Sequence, residues 1–286
     1  MDMLYNDYAY PVSHFLDMWR SLNKDGDEIG WHPHMWDWDN IRKQWFPHLD
    51  EDKWTNECLE AGYKAISKYF KPTSCRTGWN FQSNNIFEKL VELGVKVDLS
   101  GLPGQKQILF QNSPTSHLHD WKPTTEEFYF PSKSDYRISS TSKKCLNILE
   151  MPLSLTPIPT LQAYAKFVHH NVRHNLNQPF SKPVIAYNFK LTEIMRITKH
   201  PKLFKRGVNK KFKDSKIRNS TEYIITYFHP HELLGNGLFS ISNFEANLKY
   251  ISDMSGKYGI PYRFLTATQA AEDYLTQTHQ SEIIHD

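Results

Sequence analysis

At 286 residues the chain has the length of one large α/β domain and can bury an extensive core. Its 39% hydrophobic and 23% charged residues exclude a disordered polymer, and a net charge of +3 gives no general attraction to nucleic acid or membrane. Cys58, Cys75 and Cys145 form no Cys-x-x-Cys spacing, which argues against a disulfide scaffold or thiolate metal site and suits a reducing compartment.

The start, Met1 to Asp7, has neither the basic nor the apolar segment of a secretion signal, and no apolar run approaches ~18 residues. A cytoplasmic location with no membrane partner is the expectation. Phe15, Met18, Trp19 and Leu22 recur at helical spacing until Asp25-Gly26 stops them, and Glu28 to His32 reads as a strand. Residues 50 to 70 predict a second helix, with Trp54, Cys58, Leu59, Ile66, Tyr69 and Phe70 inward and Lys71-Pro72 as its end. A short strand leads to Cys75-Arg76. Ser83 or Asn84 caps a helix carrying Ile86, Leu90 and Leu93, and Gly94 ends it before the strand Val95 to Asp98.

From Gly101 to about Ser142 the chain is rich in Pro, Ser, Thr, Gly and Lys, a long loop of the kind that frames sites. Strand patterns follow at Ile148 to Leu153, Val184 to Phe189, Tyr223 to His229 and Tyr262 to Leu265. Helical patterns separate them near Leu161 to Leu176, Leu191 to Ile197 and Ser242 to Tyr258, the last with a capping box at Ser242 to Glu245 and a stop at Gly259. Seven strand candidates alternating with helices imply parallel strands with helical crossovers, an open sheet or a barrel, in a single domain over residues 1–286. Six of the eight tryptophans lie between Trp19 and Trp54; flat rings suit sugar faces, though core packing is their commoner use.

The residues with chemistry sit at strand ends. In Gly30-Trp31-His32-Pro33-His34 two histidines two apart can face one way from an extended backbone, and paired imidazoles suit Zn, Fe, Co or Ni. Tyr227-Phe228-His229-Pro230-His231-Glu232 repeats the design where another apolar strand ends, so His229 is a candidate proton donor or further ligand. Arg76 stands at a third strand end and could orient a carboxylate. A basic stretch from Lys199 to Arg218 could hold an anionic glycan or nucleic acid, as clustered cations do, but reads first as a solvated loop, with no nucleic-acid motif beside it.

In order and spacing these elements resemble the polysaccharide deacetylase (NodB-type carbohydrate esterase) superfamily. Asp27-Glu28-Ile29-Gly30-Trp31-His32 looks like its histidine motif. Cys75-Arg76-Thr77-Gly78-Trp79 and Glu92 to Asp98 look like its arginine motif and the helix ending in Leu-Gly. Leu149-Glu150-Met151-Pro152, Tyr227 to Glu232 and Gly259 to Thr266 are similar to its later strands and its catalytic-histidine motif. The likeness spans roughly residues 14 to 275.

The resemblance implies an α/β fold, a distorted (β/α)7-type, TIM-like barrel, and a hydrolase that removes N- or O-acetyl groups from a carbohydrate with a divalent metal, zinc by preference. It makes His32 a metal ligand, with His34 as the second because the family's usual partner four residues on is Trp36 here. His229 becomes the general acid, Arg76 the residue orienting the catalytic carboxylate, and Trp31, Trp79, Asp98 and His231 substrate contacts. One element departs: the family's apolar strand ending in adjacent aspartates has no counterpart, since no strand precedes Asp2 or Asp7 and Asp17 lies in a helical pattern. Either the barrel is missing or opened at its first strand, or another carboxylate such as Asp37 or Asp39 rebuilds the site. The alternative reading is a deacetylase-like protein that binds glycan without hydrolysis.

Overall fold

Four extended segments line up in chain order. In the computed structural model, which describes residues 12–41, 43–49, 51–108, 117–140, 144–177 and 191–278, contacts group the chain into two compact units. The first comprises Met1–Pro152 with Phe264–Asp286, the second Leu153–Arg263.

In the first unit, α1 (Leu16–Lys24) precedes a hairpin of β1 (Trp36–Asp39) and β2 (Gln44–Pro47), and then α2 (Asp52–Ile66), β3 (Ser74–Cys75), α3 (Asn84–Glu92) and β4 (Val97–Asp98). After the hairpin β5 (Lys106–Ile108) and β6 (His117–Asp120) comes β7 (Leu149–Glu150), and β3, β4 and β7 form a parallel sheet in that order. Trp31 joins its edge through a parallel bridge to Cys75, so Trp31, Cys75, Asp98 and Glu150 stand in one row across four neighbouring segments. The ladder is regular, from Arg76 N to Trp31 O at 2.9 Å, through Leu99 N to Cys75 O at 2.9 Å, to Met151 N to Asp98 O at 2.8 Å.

The helices beside the sheet each bury one side because their apolar residues recur every three or four positions. On α2, Thr55, Cys58, Leu59, Gly62, Ala65 and Ile66 are buried, and on α3 Ile86, Phe87 and Leu90 are. Ser83 caps α3 by accepting from Ile86 N at 3.2 Å, as its sequence position predicts. Glu28 caps the last helix, α8 (Ala267–Thr278), accepting from Thr268 N at 2.8 Å and from Thr268 Oγ1 at 3.0 Å. This motif residue therefore ties the histidine strand to a helix 240 positions on.

The second unit pairs β8 (Leu155–Pro157) with β9 (Thr192–Ile194) antiparallel, and adds α4 (Thr160–Asn177), α5 (Pro201–Arg218), the single turn α6 (Pro230–Leu233) and α7 (Ile241–Tyr258). Its core joins Met195, Ile197, Phe204, Val208, Phe212, Ile251 and Met254. Buried Asn247 on α7 donates to Ile197 O at 2.7 Å and Lys199 O at 2.8 Å, fixing the segment that leads into α5.

The class is mixed α/β with a small parallel sheet, and the described residues form no closed barrel. Several sequence expectations are corrected. The basic stretch is a helix, because Phe204, Gly207, Val208, Lys211 and Phe212 bury one side of it and Pro201 starts it. Leu191 to Ile197 holds the strand β9 instead of a helix, its β-branched Thr192 and Ile194 pairing with Pro157 and Leu155. Tyr223 to His229 has one bridge, Tyr227 to Arg196, and Tyr262 to Leu265 has none. The cap of α7 is Ser240, which accepts from Asn243 N at 3.1 Å, two residues before the expected capping box. The apolar residues of α1 do not form a buried face: none is buried, and Phe15 and Met18 are nearly half exposed. The strand expected at Val184 to Phe189 lies outside the described residues.

Candidate functional site

His32 follows Trp31 on the edge of the parallel sheet and Arg76 follows Cys75 on the next strand, so a one-residue step places both on the face opposite the row of Trp31, Cys75, Asp98 and Glu150. The His32 Nδ1–H donates to the Arg76 carbonyl, which leaves Nε2 as the ring's lone-pair nitrogen. That Nε2 lies 3.2 Å from Nε2 of His34, within hydrogen-bond distance, so without an ion the His34 Nε2–H can donate to it. Two nitrogens bound at about 2.0–2.1 Å in a tetrahedral centre stand about 3.3 Å apart, so the pair has the spacing of a two-imidazole chelate. Partial loss of hydration holds the His32 imidazole, still exposed on one side, below its ordinary pKa; the Arg76 charge adds to that and the bond to the Arg76 carbonyl opposes it. A ligand imidazole must be neutral, and the setting favours that form.

Packing positions the second ring. His34 stacks on Trp36 at 5.8 Å and meets Trp79 edge-on at 4.6 Å, while Trp36 and Trp79 meet at 4.5 Å. Gly78 allows this, because a Cβ there would stand 2.3 Å from His34 Nδ1. Trp79 and Asn80 both take left-handed backbone angles, φ 53° and 58°, a conformation costly for the bulky Trp79 and better tolerated by Asn80. The turn is held from several sides: His119 Nδ1–H donates to Trp79 O at 2.8 Å, Trp121 Nε1–H to Asn80 O at 2.8 Å, and Asn80 Nδ2–H to Ser100 O at 2.9 Å. Arg76 extends from the same strand end and donates to Asn80 Oδ1 at 3.2 Å.

Of the other sequence candidates in this unit, Trp31 is 5% exposed and packs edge-on against Tyr63, and Asp98 is fully buried. Asp98 accepts from Gln82 Nε2 at 3.0 Å and from the Ser100 hydroxyl at 2.9 Å, and adjoins Glu150, whose Oε1 accepts from Gly101 N at 2.9 Å. Burial pushes both carboxyl groups up, Glu150 strongly because the Asp98 charge adds to the effect. Burial, with these two acids, also pushes the Cys75 thiol up. Asp37, one candidate for the missing carboxylate, is engaged by His48 Nδ1 at 3.0 Å and by Trp38 N at 2.7 Å.

In the second unit His229 precedes α6, whose first residue is Pro230. His229 Nδ1 lies 3.0 Å from Glu232 Oε1 and 3.2 Å from the Arg196 guanidinium, and Glu232 is 4% exposed, bonded also by Thr198 Oγ1 and by Arg196. Arg196 lies over Tyr227 at 4.9 Å and Phe239 at 4.5 Å. The rings of His229 and His231 stack at 5.4 Å. Among the described residues, His229, His231 and Glu232 are the one group of three potential ligands that gather closely, within 4.8 Å. The Arg196 cation already neutralises that carboxylate, which works against a second cation there.

No family model fits the chain and no curated protein is significantly similar in sequence. No helix among the described residues is long and apolar enough to cross a membrane. Sequence reasoning passed over Gly78, Asn80, Arg196 and Glu150 as parts of these sites. Glu232 had a signal, its place three residues after His229 at a helix start. His119 and Trp121 had none, since a loop of about forty residues separates them from the turn they hold.

Proposed function

We propose that the first unit carries a divalent metal site at His32 and His34 and that the chain is a metal-dependent hydrolase of acylated carbohydrate. The observation that carries this reading is the 3.2 Å between the two Nε2 atoms, each ring fixed by a separate contact set. When bound, a zinc-like ion would supply Lewis-acid activation of water toward an acyl carbonyl. His32 is held in the needed tautomer by the Arg76 carbonyl, and the rings of Trp36 and Trp79 offer flat apolar faces to a sugar. In the second unit the buried Glu232 carboxylate stands beside His229, which suits that imidazole to proton transfer, and its place in the motif order is the ground for naming it a general acid. The fold proposal that accompanies this function is the distorted (β/α)7-type barrel, supported by the first unit's parallel segments in chain order.

The test is zinc or cobalt titration of the wild type, His32→Ala and His34→Ala, with acetate release measured on a panel of N- and O-acetylated oligosaccharides. Stoichiometric metal lost in both variants, with release sensitive to His32→Ala, supports the enzyme. An absence of metal binding in the wild type overturns it. The second reading, a glycan binder without hydrolysis, is favoured by one observation: no carboxylate among the described residues joins the His32 and His34 pair. Glycan binding with retained metal and no acetate release selects it.

A further inference from the structure

Helix α5 carries eight cations and one acid, Asp214, in eighteen residues. At 100° per residue, Lys202, Arg206 and Lys213 fall within about 40° of one another, with Lys205, Lys210 and Lys216 flanking them. Phe204, Gly207, Val208, Lys211 and Phe212, the buried residues, occupy the opposite side and are committed to the core. A ridge of positive charge thus runs about 21 Å along the helix from Lys202 to Lys216.

Local acids neutralise the helix selectively. Glu222 takes Lys211 at 3.1 Å and Arg218 at 3.4 Å, and Asp214 takes Lys210 at 3.2 Å. Lys202 and Lys213 meet no carboxylate among the described residues, and Arg206 bonds only a neutral amide, Gln162 Oε1, at 3.0 Å. Two flanking ammonium groups rest over tyrosine rings of α7, Lys205 over Tyr250 at 4.7 Å and Lys216 over Tyr258 at 5.9 Å. These contacts hold the lysines beside the stripe while leaving their charge uncancelled.

We infer that this ridge of α5 is a binding surface for a linear anionic glycan, a chain of sugars bearing carboxylate or sulfate groups. A row of cations about one helical turn apart suits a polymer with regularly spaced anions, and its field concentrates such a chain despite the small net charge of the whole protein. Nucleic acid fits less well. No aromatic residue stands on the stripe to stack a base, and the Oδ1 of its one amide, Asn209, is occupied by the Tyr258 hydroxyl at 2.9 Å. The inference is independent of the metal site.

The experiment measures binding of the intact chain to a sulfated hexasaccharide, a polyuronate hexamer, a neutral hexasaccharide and a short DNA duplex over a range of salt. The expected result is binding of the two anionic sugars that weakens as salt rises, with no binding of the neutral one. Lys202→Gln/Arg206→Gln/Lys213→Gln should weaken it by about tenfold or more and flatten the salt dependence, whereas Lys53→Gln/Lys71→Gln/Lys122→Gln, with the same change of net charge, should weaken it less than about twofold. If the triple variant fails to fold, Lys213→Glu alone should still weaken binding by about threefold or more. Equal losses in both triple variants, salt-independent binding, equal binding of the neutral sugar, or tighter binding of DNA at matched charge each overturns the inference. Metal titration of the ridge variant and glycan binding by His32→Ala keep this result separate from the fate of the metal proposal.

Discussion

The tripeptide His-Pro-His occurs in both units, and the two copies have become different devices. In the first, an extended backbone at a sheet edge brings the Nε2 atoms of His32 and His34 to 3.2 Å, with a main-chain carbonyl behind one ring and tryptophans around the other. In the second, Pro230 opens a helical turn, the rings of His229 and His231 stack, and a buried carboxylate stands behind the first. A neutral carbonyl and apolar rings leave room for an incoming cation, whereas the Glu232 and Arg196 pair already balances its own charge. The same tripeptide thus sits in two different local frames, so its spacing in the chain does not by itself say what each imidazole does.

This contrast can be broken at its anchors. Glu232→Ala should cost the second unit about 3 kcal/mol, since Arg196 loses its buried partner, and Arg196→Met/Glu232→Leu should recover most of that in denaturant melts. Next in size, His32→Ala should lower zinc affinity by about 100-fold or more, while His229→Ala and His231→Ala leave it within about threefold; a larger loss in the His229 variant would place the metal in the second unit. Gly78→Ala forces a methyl group into the His34 ring and should destabilise the first unit by about 1–3 kcal/mol while weakening metal retention, read by melting and titration together.

Two smaller effects should stay within the first unit. Asp98 and Glu150 have folded pKa values raised above those of the unfolded chain, so above the ordinary carboxylate range the unfolded state holds fewer protons and stability falls as pH rises toward the folded values. Urea melts at about pH 5 and about pH 8 should show that decline in the wild type and a shallower one in Glu150→Gln. Ser83→Ala, which removes the cap of α3, should cost about 1 kcal/mol with no change in zinc affinity.

Much of the first unit was legible in the sequence, because its helices bury apolar residues at regular spacing and its punctuation is local: Ser83 before α3, Gly94 after it, Lys71-Pro72 after α2. The four strand ends were legible for the same reason. The second unit was harder. The lysines of α5 masked a helix whose buried apolar residues are only Phe204, Gly207, Val208 and Phe212, and the β-branched residues of β9 lay within a helical pattern. In the site, the histidines and Arg76 could be picked out by type and position. The left-handed turn at Trp79 and Asn80 could not: Asn tolerates that conformation but Trp does not favour it, and the groups that hold it, His119, Trp121 and Ser100, come from elsewhere in the chain.

That turn has a practical consequence. By pressing the Trp79 indole against Trp36 at 4.5 Å, with the His34 imidazole touching both, it creates a coupled chromophore pair at the one place where the metal proposal is decided. Near-ultraviolet circular dichroism of the wild type against Trp79→Phe isolates that pair's signal. A divalent ion engaging His34 would alter it, so occupancy can be followed optically before any substrate is in hand.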